Sequence, residues 1–147
     1  MSLDVSLYID TPIPVKGTGV FIRDNGRQRE LSPAEVAARW PGAEVAEQEY
    51  ETNEVFQWNI THNLNRMAEE AGLYVCLWKP EGMGLEYARA LIPWLQKGLA
   101  NLKAEPDRYR QFNPENKWGS YEGLVEFVEA YLKACEANPD AKVRASR

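Results

Sequence analysis

The chain is poor in the residues that hold transition metals and form disulfides. Its 147 residues include one histidine and two cysteines, Cys76 and Cys135. A zinc site needs several histidine or cysteine ligands, and a secreted disulfide scaffold needs several cysteine pairs. We therefore expect no metal and no cofactor. Both cysteines lie in apolar patterns, which predicts buried thiols with raised pKa values in a reducing compartment.

Excess basic charge and long apolar runs are also missing. The chain has 17 Lys+Arg against 22 Asp+Glu, for a net charge of −5. Proteins bind the nucleic-acid backbone through clustered lysine and arginine residues, which this acidic chain lacks. We therefore expect no nucleic-acid partner. The longest apolar runs, such as residues 73–78, are far shorter than the roughly 20 residues that span a bilayer. Residues 1–4 carry neither a basic leader nor a cleavage signal, and we expect a cytoplasmic protein without a membrane partner.

The remaining composition is that of an ordinary globular protein. Hydrophobic residues make up 44% and charged residues 27% of the chain. A chain of this length supports one core of normal size, whereas two domains would each have too little core. We therefore predict a single soluble domain over residues 1–147. The acidic segment 44–54 is typical of a solvated strand or loop, with a docking strip for a basic partner as the alternative.

The first half of the chain predicts strands. Apolar residues alternate from Leu3 to Ile9, as expected when one strand face packs on a core. A loop over residues 11–14, which contain two prolines, leads to a second strand at 20–23. Asp24-Asn25-Gly26 predicts a hairpin turn, and residues 28–31 form its returning strand.

The second half predicts helices. Ser32-Pro33 starts a short helix that ends before Pro41-Gly42. Three longer helices follow at residues 61–71, 85–103 and 120–137, with a short buried strand at 73–78. Pro93 should kink or split the second of these helices. The predicted fold is α+β: a small, mostly antiparallel sheet from the N-terminal half, covered by the three main helices of the C-terminal half.

The densest polar segment lies where a strand passes into the first main helix. It contains Asn59, Thr61, His62, Asn63 and Arg66. If Asn59 or Thr61 caps this helix, free backbone N–H groups beside the only histidine would suit a phosphate or carboxylate. His62 falls opposite the apolar stripe, so we expect it to be dispensable for packing and able to act as a general acid or base. The alternative is that these residues only form the cap and its hydrogen bonds.

A second polar segment precedes the last helix. Ser120 is the expected N-cap, and Trp118 and Tyr121 flank it. Trp118 in a loop rich in Pro, Asn and Gly would stack on a planar ligand or anchor a protein partner. Alternatively, it folds back as a cover over the core. If the two segments meet in space, they would line one polar pocket with aromatic walls, made of Asn59, Thr61, His62, Asn63, Trp118, Ser120 and Tyr121.

Four motifs resemble a family of small uncharacterised proteins of bacteriophages, prophages and bacteria. They are Met1-Ser2-Leu3-Asp4-Val5, Asn59-Ile60-Thr61-His62-Asn63-Leu64 with Met67-Ala68, Leu77-Trp78-x-Pro80-Glu81, and Asn113-Pro114 to Trp118-Gly119-Ser120-Tyr121. The resemblance covers most of the chain except residues 31–54, which look like an insertion with a short helix and the acidic segment. The residue before Trp118 is often glycine in that family, and Lys117 departs from this pattern. The resemblance implies a phage-like context and no mechanism.

Three functional hypotheses follow. The leading one is a non-catalytic binding protein, such as a phage-type accessory factor that engages a host protein or sequesters a small anionic, nucleotide-like ligand. The second is a small enzyme that uses His62 as general acid or base on a phosphoester or nucleotide, although no partner nucleophile is evident. The third is a homo-oligomeric assembly protein in which apolar stripes around Trp94, Phe127 and Tyr131 form the interface.

Overall fold

The computed structural model of the chain describes residues 2–24 and 27–147. Within these ranges the strands are β1 (Ser2–Gly17), β2 (Phe21–Asp24), β3 (Arg27–Glu30), β4 (Gln48–Thr61) and β5 (Lys142–Ser146). The helices are α1 (Pro33–Arg39), α2 (Asn65–Glu70), α3 (Tyr74–Trp78), α4 (Ala88–Ala104), α5 (Pro106–Arg110) and α6 (Tyr121–Ala137), with 3₁₀ turns at His62–Leu64 and Pro80–Met83. The antiparallel sheet and the helices form an α+β fold, as predicted.

The β2–β3 hairpin and helix α1 lie where the sequence places them. Strands β2 and β3 pair antiparallel, with Phe21 opposite Glu30. The predicted turn residues Asn25 and Gly26 are outside the described residues. Ser32 caps α1 in a complete capping box, because its side chain accepts from the Glu35 N–H and the Glu35 side chain accepts from the Ser32 N–H.

Strand β1 is the centre of a three-stranded antiparallel sheet with the order β4-β1-β5. Its predicted inner residues Leu3, Val5 and Leu7 are buried. The strand does not end at Ile9, so the prediction of a loop over residues 11–14 is wrong. The two prolines disturb only the pairing of β1 with β4, whose register shifts between Tyr8 and Ile13. Asn53 compensates there by donating to the Ile9 carbonyl at 2.9 Å.

The third strand of the sheet comes from the C-terminal end of the chain. In β5, Val143 lies opposite Leu7 and Ala145 lies opposite Val5. We predicted a sheet from the N-terminal half alone, and this part of the prediction is wrong. A five-residue strand with only two apolar positions is too short for its alternation to distinguish it from a loop.

Helices α4 and α6 have 17 residues each and pack against each other. Ser120 caps α6 as predicted, since its side chain accepts from the Gly123 N–H at 3.0 Å. Pro93 lies inside α4 without splitting it. It is in the second turn of the helix, where its missing N–H affects only the Arg89 carbonyl, and the exposed surface there lets water hydrate that group.

The predictions for residues 61–78 need two corrections. The predicted helix over 61–71 is a 3₁₀ turn followed by the shorter α2, and the predicted strand over 73–78 is the helix α3. Gly72, with a φ of 78°, turns the chain between α2 and α3. A run of only six apolar residues has the same appearance in a helix as in a strand, so periodicity could not decide between them.

The core contains a cluster of aromatic rings between β4 and α6. The Phe127 ring lies 5.7 Å from that of Trp58 and 5.6 Å from that of Tyr131. Phe127 and Tyr131 are buried, so they cannot belong to the surface stripe that we predicted for a homo-oligomer interface. Trp94 of that stripe is 40% exposed.

The two cysteines are buried, as predicted. Burial raises the pKa of the Cys76 thiol to about 12, and it raises the pKa of the Cys135 thiol to about 12 as well. Both thiols are therefore protonated at neutral pH and are poor nucleophiles. Among the described helices, none has both the length and the apolar composition that crossing a bilayer requires.

Candidate functional site

The structure brings the two polar segments together. The Asn63 side-chain amide donates to the Asn116 side-chain oxygen at 3.3 Å and to the Trp118 carbonyl at 3.5 Å. Packing at Gly119 is equally close, because a Cβ atom there would lie 2.7 Å from Thr61 Cγ2. The end of β4 and the loop before α6 are thus in direct contact.

A groove of about 540 Å³ lies between these segments. We call it the β4–α6 groove. One wall is formed by residues 58–61 of β4, and the other by residues 117–120 with Glu122, Gly123 and Glu126 of α6. Arg23 of β2 and Leu64 complete the lining.

The loop that carries Trp118 is held in place by side-chain hydrogen bonds. The Asn116 side-chain oxygen accepts from the Trp118 N–H at 3.0 Å, and that of Asn113 accepts from the Tyr121 N–H at 2.8 Å. Lys117 has a φ of 63°, a left-handed conformation that glycine adopts more easily. Trp118 itself is 71% exposed. The alternative in which it covers the core is therefore wrong.

Two of the first three backbone N–H groups of α6 are already bonded within the protein. The Tyr121 N–H is bonded to Asn113, and the Gly123 N–H is bonded to the Ser120 side chain. A backbone hydrogen bond and the hydrogen bond from Arg110 lower the pKa of the Glu122 carboxyl. The Tyr121 and Gly123 N–H groups are therefore not available to an anion at this helix end; the anion site that the sequence predicts lies at the other helix start, beside His62.

At the other helix start, Thr61 and Asn59 have different roles. The Thr61 hydroxyl is the cap, accepting from the Asn63 N–H at 3.2 Å. Asn59 is still in β4, where its amide donates to the Ser2 hydroxyl and to Asp4 Oδ1, both at 2.8 Å. It is 8% exposed and ties the two strands together.

The predicted pocket residues divide into two groups. Those that line the groove are Asn59, Thr61, Trp118 and Ser120. Those that do not line it are His62, Asn63, Arg66 and Tyr121. Tyr121 is buried and donates to the Leu102 carbonyl at 2.7 Å, while the Arg66 guanidinium stacks on the Phe112 ring at 5.1 Å.

His62 has a structural contact that the sequence did not predict. Its Nδ1 accepts a hydrogen bond from Trp78 Nε1 at 2.8 Å, and Trp78 is buried. The expectation that His62 is dispensable for packing is therefore wrong. An acid–base role in the groove finds no geometric support, because the imidazole lies outside the lining and one nitrogen is already engaged.

We expect His62→Ala to destabilise the fold. Without the imidazole, the buried Trp78 indole N–H loses its acceptor, which should cost about 1–2 kcal/mol in free energy of unfolding. His62→Asn places an amide oxygen near the position of Nδ1 and should recover much of this loss. Urea unfolding of both variants is the measurement, and equal stability of His62→Ala and the original protein would contradict the assigned contact.

Several groove residues were missed at the sequence level. Glu122, Gly123 and Glu126 follow the helical spacing of one α6 face, opposite the buried stripe of Leu124 and its neighbours. That spacing was visible in the sequence. Only the structure, however, shows that this face lies opposite β4 and that the β4–α6 groove separates the two. The spacing alone therefore gave no reason to select these residues.

Comparisons with known proteins return nothing similar: no family model, curated protein or solved structure matches the chain. Within residues 2–24 and 27–147, His, Cys, Asp and Glu side chains form no group of three that could hold a metal ion. What remains is a groove with an exposed indole, polar side chains and charges of both signs.

Proposed function

We propose that this protein is a non-catalytic binding protein that engages a protein partner through the β4–α6 groove. The observation that carries the proposal is Trp118, which is 71% exposed on a loop fixed by hydrogen bonds. Exposing an indole to water is unfavourable unless a partner covers it, and tryptophan is the residue type most enriched at the energetic centres of protein interfaces.

The rim of the groove also fits a protein surface. It carries Lys117 and Arg23 as cations, and Glu122 and Glu126 as anions. Mixed charge around a central aromatic group is the usual arrangement of a protein interface, with a polar rim around an apolar centre. A small anion would instead favour a single sign of charge and free helix N–H groups, and the Tyr121 and Gly123 N–H groups at the start of α6 are already bonded.

The partner in this proposal is a component of a bacterial host. The support is the resemblance of the four sequence motifs to phage and prophage proteins, which act among host macromolecules. The fixed loop supports partner binding in general, because a contact residue that is already held in place loses little conformational entropy when the partner binds.

Partner capture with a matched pair of tryptophan variants tests the proposal. Tagged protein carrying no substitution, Trp118→Ala or Trp94→Ala is incubated with bacterial lysate, and the captured proteins are quantified by mass spectrometry. Trp94 is 40% exposed on α4, outside the groove, and controls for the general loss of an indole. We expect Trp118→Ala to weaken capture of the partner by about 30-fold or more, as for an interface hot spot, and Trp94→Ala to retain it.

Two results would contradict this function. One is a partner captured equally by all three proteins, since its binding would not depend on the groove. The other is native mass spectrometry showing a bound molecule of a few hundred daltons that is lost in Trp118→Ala, which would restore the small-ligand hypothesis. Thermal unfolding of Trp118→Ala should stay close to that of the original protein, because the side chain is mostly in solvent.

A further inference from the structure

His62 joins the candidate site to the core through one hydrogen bond. Its Nδ1 atom lies 2.8 Å from Nε1 of Trp78, which is 1% exposed. An indole nitrogen only donates, so Nδ1 is the acceptor and the neutral imidazole carries its proton on Nε2. A second proton is therefore added at Nδ1, where it faces the indole N–H. Two donors cannot bond to each other, and burial of Trp78 keeps water from replacing the lost acceptor.

The turn that carries His62 also holds the loop that carries Trp118. Asn63, the next residue of the turn, donates from its side-chain amide to the Trp118 carbonyl at 3.5 Å. Leu64, at the end of the same 3₁₀ turn, is buried and packs on the loop, because a Cβ atom at Gly119 would lie 3.0 Å from Leu64 Cδ2. A movement of this turn would therefore remove two of the contacts that fix the loop.

The charged groups around the turn do not compensate a proton on His62. The turn packs against α2, α3 and the loop before α6. The titratable and charged groups of these elements, and those beside Trp78, are Arg66, Glu69, Glu70, Tyr74, Lys79, Glu81, Glu115, Lys117 and Arg147. In the described part of the chain none of them forms an ion pair with His62, whereas Glu70 pairs with Arg108 and Glu81 pairs with Arg147. The imidazolium therefore gains no ion pair in exchange for the bond to Trp78.

We propose that His62 is a proton-sensitive contact that regulates binding at the β4–α6 groove. Uptake of a proton at Nδ1 breaks the bond to Trp78, loosens the 3₁₀ turn and loosens the loop that carries Trp118, so the partner binds less tightly in mild acid. This inference rests on the proposed function and specifies its regulation. Histidine is the side chain that ordinarily changes charge between about pH 5 and 8, and His62 is the one histidine of the chain. A loosened loop must be ordered again when the partner binds, which lowers the affinity.

An NMR titration tests the inference without any partner. The isotope-labelled full chain is observed from about pH 7.5 to about pH 5.5, a window in which histidine is the side chain that ordinarily titrates. The signals followed are the Trp78 indole N–H and the backbone amides of residues 116–119. His62→Asn is the matched control, because its amide oxygen can accept from Trp78 and takes up no proton in this window.

We expect the Trp78 indole signal to shift as the pH falls. The backbone order parameters of residues 116–119 should fall with the same midpoint, from about 0.85 to about 0.6 or below. In His62→Asn both should stay constant across the window. A Trp118-dependent partner captured from lysate at neutral pH should be retained about tenfold less in mild acid by the original protein than by His62→Asn.

Three results would overturn this regulation. The first is a Trp78 indole signal that does not shift across the window. The second is a shift of that signal with unchanged order in residues 116–119, because the contact would then not control the loop. The third is an equal loss of order in His62→Asn, which would assign the effect to another group. None of these results needs a partner, so a Trp118-dependent partner from lysate would still support the proposed function. A loop that titrates as expected, with no such partner captured, would contradict the proposed function instead.

Discussion

Gly119→Ala is expected to lower the free energy of unfolding by about 3 kcal/mol, the largest loss that we predict for a single added methyl group. Gly119 has a φ of 99°, where residues with a Cβ atom are strained. The new methyl would also lie 2.7 Å from Thr61 Cγ2 and 3.0 Å from Leu64 Cδ2. Relief of both strains would require the loop to move away from β4, and Trp118 would move with it. Urea unfolding gives the stability, and partner binding by this variant should be lost as well.

Lys117→Gly is the matched control two residues earlier in the same loop. Its φ of 63° is a left-handed conformation, which costs a lysine about 1 kcal/mol more than a glycine. Removing this strain would stabilise the folded state, but glycine also makes the unfolded chain more flexible and so offsets part of the effect. We therefore expect Lys117→Gly to raise the free energy of unfolding by about 0.5 kcal/mol. The two substitutions should therefore change stability in opposite directions. If both were neutral, the loop would not be held against β4 in the way described above.

Gly98→Ala is expected to destabilise the protein by about 2 kcal/mol, although alanine is the better helix former by about 1 kcal/mol. Gly98 lies in α4, and the position of its missing Cβ is filled by Leu73. An added methyl would overlap the Leu73 side chain at its Cγ and Cδ2 atoms. Leu73 is fully buried, so its side chain has no open space into which it could move.

A double-mutant cycle with Leu73→Ala separates this contact from any other effect. Leu73→Ala alone should cost about 2–5 kcal/mol, because it leaves a cavity in the core. In that background the Gly98 methyl fills part of the cavity, so Gly98→Ala should become neutral or stabilising. Urea unfolding of the four proteins is the measurement. A Gly98→Ala effect that is the same in both backgrounds would contradict the assigned contact.

The parts of the fold that could be predicted depend on residues close together in the sequence. The alternation from Leu3 to Ile9 places these side chains on two faces of a strand, whatever the strand pairs with. The capping box at Ser32 and the cap at Ser120 are satisfied within three or four residues of the cap. These features needed no knowledge of the tertiary structure.

The candidate site was predicted only in part, because it depends on contacts between residues that are far apart in the sequence. The sequence indicated two polar segments at the starts of helices, and the structure places both at one groove. It did not indicate that Tyr121 faces inward to the Leu102 carbonyl, or that His62 accepts from Trp78. Each of these bonds joins residues that are 16 or more positions apart. Local spacing says which face of an element is apolar, and it says nothing of which distant polar group a side chain will meet.

The amino-acid sequence by itself determined the fold class, the buried thiols and the caps that start helices α1 and α6, because propensity, apolar period and capping act over a few residues. The tertiary structure decided that α3 is a helix, that β5 completes the sheet, and that Asn63 meets Asn116 across 53 positions to form a groove. It also decided that Trp118 is exposed. These outcomes follow from the packing of the whole chain, in which long-range contacts outweigh local preferences of about 1 kcal/mol or less per residue.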